Sequence, residues 1–361
     1  MKRIPFSEDE LRVIGTHPAA TQSRGVAPPV LNTPVTPREN VRLAWKREGA
    51  FWIPQSADFA TMGPRVIIDN VARAFCFDCG PALTDEEKGG RDMFGIEWVY
   101  VPVVGGSMVK PGSPTLVDAN DWPEVVKFPD VSKFAWDECG EVNARLNETT
   151  RSFSVTILNG LYERMISFMD FENAALALID DDQKEAVHAL LGNLADMYID
   201  IIGRFKEKFS NLDGVLFHDD WGSQRAPFFS LDTCMEMIVP YLKKVADFCH
   251  SKGLWFQHHC CGKNELLVPA MIEAGVDMWA PQRMNDVDML REKYGDRIMF
   301  GAFGPDLPRD LKPDEIDAAA KTLVDKYAPG FDEKPVFLSN MFPPPGFTDA
   351  VYKYGRKALC G

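Results

Sequence analysis

The stretch Asp213-Gly-Val-Leu-Phe-His-Asp-Asp-Trp-Gly-Ser-Gln224 decides the fold. Its first half is a short apolar run, and its second half is polar and contains a glycine, as where a strand runs out into a loop. The unit then repeats. Leu254–His258 leads into His259-Cys260-Cys261-Gly262, Asp277–Ala280 into Pro281-Gln282, Ile298–Ala302 into Phe303-Gly304-Pro305, and Val336–Ser339 into Asn340-Met341. Amphipathic helical stretches lie between them, over Leu231–Lys252, Asn264–Glu273, Asp286–Tyr294 and Pro313–Lys326. Upstream, Ala50–Pro54 and Ser154–Leu158 read as further strands and Asp180–Phe209 as a long helix. Continuous apolar strands alternating with helices pair in parallel and are buried on both faces. The expected architecture is α/β, a single (β/α)8 TIM barrel, with its chemistry at the C-terminal ends of the strands. A doubly wound open sheet fits less well, because no G-x-G-x-x-G opens a helix.

Two segments stand outside the alternation. Residues 1–40 are rich in Pro, Thr and charge and read as an N-terminal extension. It ends in a helix start at Thr36-Pro37-Arg38-Glu39, where Pro suits the first turn. The barrel is expected over residues 41–361. Phe94–Val104, followed by Gly105-Gly106, alternates apolar and polar residues and reads as a strand-hairpin insertion.

Composition narrows the function. The 361 residues carry 39 Lys+Arg against 53 Asp+Glu, a formal charge of −14. Nucleic acid and anionic membrane surfaces are poor partners for so acidic a chain. No apolar run reaches the roughly 18 residues of a spanning helix, and MKRIPFSEDE lacks the apolar core of a secretory signal. The expected location is cytoplasmic. Eight cysteines without framework spacing suit reduced thiols better than disulfides. Cys76 and Cys79 form a C-x-x-C with no second pair at zinc-ribbon spacing, so they read as buried structural thiols.

The strand ends offer the chemistry. Side chains alternate along a strand, so His259 and Cys261 share one face, and His258 and Cys260 the other. A same-face imidazole and thiolate suit Zn²⁺, although a catalytic zinc keeps about three protein ligands and one open position. Asp219, Asp220 and Glu163 are candidates for further ligands, for orienting groups or for a proton donor. His218 reads equally well as structural or functional. Trp221, Trp279, Phe303, Asn340, Met341 and Phe342 sit at or near strand ends, where they are candidates for a substrate pocket or for core packing.

These motifs resemble the uroporphyrinogen decarboxylase-like superfamily, and within it the corrinoid-dependent methyltransferase branch. The resemblance rests on Asp213–Gln224, His259-x-Cys261-Gly262 and Tyr294-Gly-Asp-Arg297. Asp92-Met-Phe-Gly-Ile-Glu-Trp98, Gly160-Leu-Tyr-Glu-Arg164 and Phe171-Glu-Asn173 add to it, so that it covers residues 36–350. It implies a (β/α)8 barrel and, in the coenzyme M type, zinc held by His-x-Cys and a later Cys. Here the later position reads Asn340-Met341, and Cys360 lies too close to the C-terminus to serve. The decarboxylase's arginine-rich signature is missing as well, since Phe51–Asp58 has no arginine before Arg65.

The function this implies is a zinc-dependent methyltransferase. It would move a methyl group from a small methylated donor to the cobalt of a corrinoid on a carrier protein. The favoured donor is an O-methyl aromatic, making the chain an O-demethylase component. The alternatives are a decarboxylase of the same fold and a noncatalytic barrel that binds a corrinoid or tetrapyrrole.

Overall fold

In the computed structural model, residues 2–18, 28–103, 105–112, 114–339 and 343–361 are described. Every residue of Ser152–Ile157 is buried, as it must be in a strand covered by helices on one face and a barrel interior on the other. Seven strands, this one among them, form one parallel sheet in sequence order. They are β1 Phe59–Met62, β2 Ser152–Ile157, β3 Gly214–His218, β4 Trp255–His259, β5 Met278–Trp279, β6 Met299–Ala302 and β7 Val336–Leu338. The sheet curls until its edges meet. Leu338 N–H donates to Pro54 O at 2.7 Å, and Gln55 bridges Leu338 in parallel. The architecture is that of the (β/α)8 fold.

The expected strand at Ala50–Pro54 is not a regular strand. The Asn40 side-chain oxygen accepts from the N–H groups of Phe51 and Trp52 at 2.8 and 3.3 Å, and Pro54 has no N–H to give. The segment therefore contributes the closing contact, and the first regular strand of the barrel sheet begins at Phe59. The helix expected over Leu231–Lys252 is two helices, Leu231–Met237 and Val239–Ser251. Pro240 lies in the first turn of the second, where its ring cannot continue the preceding turn.

The hairpin insertion is a three-stranded antiparallel sheet of Gly90–Arg91, Glu97–Val101 and Gly106–Val109. It is tied to the barrel by the fully buried Arg164, on the helix Leu161–Ala177 that follows β2. Arg164 donates to Asp92 at 2.6 Å and pairs with Asp69, while its guanidinium lies 4.7 Å from the Phe94 ring. In the N-terminal extension, Val13–Thr16 pairs antiparallel with Pro29–Leu31, and Thr36 caps the helix Pro37–Trp45. Among the described residues no helix is long and apolar enough to cross a membrane.

Candidate metal centre and its surroundings

Strands β3 and β4 pair in parallel from Gly214↔Trp255 to His218↔His259. This register puts two histidines side by side at the C-terminal ends, their rings stacked with centroids 4.5 Å apart. Two residues further on, the Cys261 N–H donates to Asp220 Oδ1 at 2.6 Å. His218, Asp220 and His259 each offer a ligand atom, and these atoms lie within 4.8 Å of one another. Cys261 Sγ is 3.4 Å from His259 Nε2. A nitrogen and a sulfur bound to one tetrahedral zinc, at about 2.0 and 2.3 Å, stand about 3.5 Å apart, so this pair fits a shared ion. Gln282, at the end of β5, donates to Cys261 Sγ at 3.3 Å and accepts from Gly262 N–H at 2.8 Å, fixing the thiol-bearing turn.

Burial and the neighbouring His218 pull the His259 imidazole down to about 3, which keeps it neutral as a ligand must be. Burial and the Asp220 carboxylate push the Cys261 thiol up to about 12, so the thiolate needs a cation to stabilise it. Burial, followed by the Glu163 charge, also raises Asp220 above the ordinary carboxylate range.

Glu163 lies in the first turn of the helix after β2. One of its oxygens accepts from Arg73 at 2.8 Å, and the other is 2.6 Å from His218 Nδ1. Burial works against its charge, but the Arg73 and His218 charges more than offset this and hold Glu163 well below the usual range. The effect on His218 is reciprocal. Burial disfavours the imidazolium, yet Glu163 raises His218 above its ordinary value.

Asp219 sits differently from its neighbour. It is fully buried, and its carboxylate accepts from the N–H groups of Glu163 and Tyr162 at 2.8 and 3.1 Å and from the Trp221 indole at 2.9 Å. It caps the first turn of the helix that carries Glu163 and so acts on the centre through position. Burial and then the Glu163 charge push it up to about 7. His258 and Cys260 fall on the opposite strand face. His258 packs 4.3 Å from the Trp221 ring, and Cys260 Sγ accepts from Trp221 N–H and the Asn264 amide.

The aromatic residues expected in a substrate pocket divide. Trp221 and Trp279 are wholly buried in the main core, Trp279 packing 6.2 Å from Phe300, so neither lines an open pocket. This corrects their assignment, and the reason is strand alternation: Trp279 pairs with His258, on the helix-facing side. Phe303 is half-buried at the end of β6, with the Arg283 guanidinium 4.8 Å from its ring. Asn340, Met341 and Phe342 lie outside the described residues. Arg73 and Gln282 lie outside the site residues that the sequence suggests, and the sequence leaves His218 open between a structural and a functional role. The signal was present for His218, because His218-x-Asp220 and His259-x-Cys261 end adjacent strands with the same spacing. Arg73 carried none, since contact with Glu163 arises only in the folded chain.

Residues 161–339 match the uroporphyrinogen decarboxylase (URO-D) family. No curated protein matches the chain at a significant level. Among solved structures, a methyltransferase from Methanosarcina mazei superposes with a TM-score of 0.57 at 14% identity, covering 90% of this chain and 98% of that one. At that identity the likeness is one of fold. A sugar phosphate isomerase/epimerase from Parabacteroides distasonis gives a TM-score of 0.32 at 10% identity, covering 66% and 82% of the two chains. The catalytic domain of a GH26 endo-beta-1,4-mannanase from Bacillus sp. JAMB-750 gives 0.35 at 9%, covering 90% and 91%.

Proposed function

We propose that this chain, a member of the uroporphyrinogen decarboxylase-like superfamily through residues 161–339, is a zinc-dependent methyltransferase. It transfers a methyl group from a small donor, favoured as an O-methyl aromatic, to the cobalt of a corrinoid on a carrier protein. The barrel body, residues 41–361, carries the site, and residues 1–40 extend from it. The observation that supports this reading most is the 3.4 Å approach of His259 Nε2 to Cys261 Sγ at the C-terminal end of a barrel strand.

Zinc held by His259 and Cys261 would act as a Lewis acid on the donor oxygen, neutralising charge as the C–O bond breaks. The electron pair for the new carbon–cobalt bond comes from the reduced corrinoid, and the departing oxygen keeps the pair of the broken bond. Asp220 is the acid for that oxygen: its elevated proton affinity suits donation, and its contact with the Cys261 N–H keeps it beside the thiol. Asp219 and Glu163 position the centre, the first by capping the helix and the second by holding His218. Phe303 is the described aromatic residue available at the mouth to a flat ring.

The test supplies purified zinc-loaded protein with a reduced corrinoid carrier and a panel of methylated compounds, reading the corrinoid's visible spectrum. Methylation of the corrinoid from methoxylated aromatics is expected. No methylation from any donor, with carbon dioxide released from a carboxylated tetrapyrrole instead, would return the decarboxylase. Stoichiometric pigment binding without turnover would return the noncatalytic barrel.

A further inference from the structure

We propose that Arg73 is a positioning residue for the metal centre, acting through Glu163 on His218 so that His218 becomes the third metal ligand. This rests on the zinc reading above and adds to it a ligand and the strut behind it.

Arg73 follows the short helix Ile68–Ala72, and the hairpin insertion clasps it. Its guanidinium lies 5.4 Å from the Trp98 ring, and its carbonyl accepts from Ser107 N–H at 3.3 Å. From there one guanidinium nitrogen donates to Asn159 at 2.6 Å and to Glu163 at 2.8 Å. Asn159 has a positive φ of 58° at the end of β2, so strand, hairpin and helix all converge on this cation. The oxygen of Glu163 that Arg73 leaves free meets His218 Nδ1 at 2.6 Å.

An ionised carboxylate can only accept, so His218 Nδ1 carries a hydrogen. Nε2 is then the nitrogen left for a metal, and the carboxylate–histidine–metal arrangement that results fixes both tautomer and ring orientation. The strand register brings this same ring against His259, and the donor atoms of both lie in the group within 4.8 Å. That group also holds an Asp220 oxygen, and Cys261 joins through its 3.4 Å approach to His259. With His218, His259 and Cys261 as the three protein ligands a catalytic zinc uses, one position stays open for the donor. Asp220 remains free as the acid. The hairpin insertion thus has a chemical task, since it holds the far end of the strut.

Zinc affinity, measured by competition with a chromophoric chelator, and the spectra of the Co(II)-substituted protein test this. Glu163→Gln and Arg73→Met should each weaken zinc binding by about 10- to 100-fold, the usual cost of losing such an outer partner. Arg73→Lys should recover part of that loss. In Co(II) protein the ligand-field bands should shift in Glu163→Gln while the thiolate charge-transfer band persists, because Cys261 is untouched. The double variant Arg73→Met/Glu163→Gln removes both charges and leaves neither buried alone, so it guards against misfolding. Its loss should match Glu163→Gln alone, as two links of one strut require. Additive losses would show that Arg73 acts elsewhere and overturn its role. Unchanged affinity and spectra in His218→Ala and Glu163→Gln, with metal lost in His259→Ala, would overturn the strut and leave the zinc reading standing. A wild-type protein that binds no zinc would overturn both.

Discussion

His218 and His259 stand in register on adjacent parallel strands, their ring planes 19° from parallel and their centroids 4.5 Å apart. This one pairing brings two strand ends into a single centre. A slip of either strand by one residue would turn its imidazole to the other sheet face, where His258 already packs against Trp221, and separate the pair. The sheet therefore sets the two imidazoles side by side, and the turns just beyond the strand ends bring Asp220 and Cys261 up to them.

The first consequence concerns metal retention. Purified protein should hold about one zinc per chain, and His259→Ala and Cys261→Ala should each lose it. Elemental analysis after dialysis measures this. Unchanged metal content in both variants would remove these residues from the site.

Much of the arrangement was legible in the sequence because parallel strands are buried on both faces and advertise themselves. The apolar run Gly214–His218 is a strand over those same bounds, and polar residues follow where the strand ends. Ala50–Pro54 misled because its N–H groups bond to the Asn40 side chain, a contact that hydrophobic pattern does not encode. The helical span Leu161–Ala177 is broken at Asp170, whose φ of 61° and ψ of 167° are not helical, so its apolar residues follow no single stripe. Asp219 and Asp220 look alike in the sequence. Strand alternation sends one under the helix cap and the other to the mouth, and only the register reveals which is which.

The second consequence concerns the hairpin. Arg164 is fully buried between Asp69 and Asp92, so Arg164→Met leaves two carboxylates facing each other without their cation. Breaking a buried pair in this way costs about 3–5 kcal/mol. Denaturant unfolding should show that loss, and zinc affinity should fall with it, because the hairpin that clasps Arg73 loses its anchor. A change under 1 kcal/mol would show that the triad contributes little to stability.

Gly262 supplies a third. Its φ of +98° suits glycine, and a Cβ there would stand 2.3 Å from the Gly222 carbonyl oxygen. Gly262→Ala should destabilise the fold by about 1–3 kcal/mol. It should also weaken zinc binding, because the turn cannot then hold Cys261 opposite Asp220. Wild-type metal affinity in a folded Gly262→Ala protein would contradict this.

The buried His258 gives a pH signature. Burial holds it at about 3, well below its ordinary 6.5, so between these values the unfolded chain binds a proton that the native state refuses. Stability from this group is full above 6.5 and is lost as pH falls, by about 1.4 kcal/mol per pH unit. His258→Phe should unfold with a correspondingly flatter pH dependence in this window. Taking the difference between variant and wild type cancels the other titrating groups. Parallel pH profiles would mean that His258 protonates in the native state.

The last prediction separates donor classes. A thiol substrate reacts when zinc binds its sulfur and lowers its pKa, and zinc with several thiolate ligands is electron-rich enough to keep that sulfur nucleophilic. Among the described residues the centre offers one thiolate, Cys261, beside the imidazoles of His218 and His259. Zinc in that set is the stronger Lewis acid and is better matched to an ether oxygen, which leaves badly unless its developing charge is neutralised. Asp220, raised by burial, can then protonate the departing oxygen, a step that a thiolate acceptor does not need. Methoxylated aromatics should therefore methylate the reduced corrinoid, and the reverse assay, methylated corrinoid with coenzyme M, should run at background. Asp220→Asn should slow demethylation of ethers with poor phenolic leaving groups more than those with acidic phenols, because an acid matters most where the leaving oxygen is most basic. Equal slowing across the series would remove Asp220 from the proton transfer. Brisk transfer to coenzyme M would assign the chain to thiol chemistry despite its single thiolate.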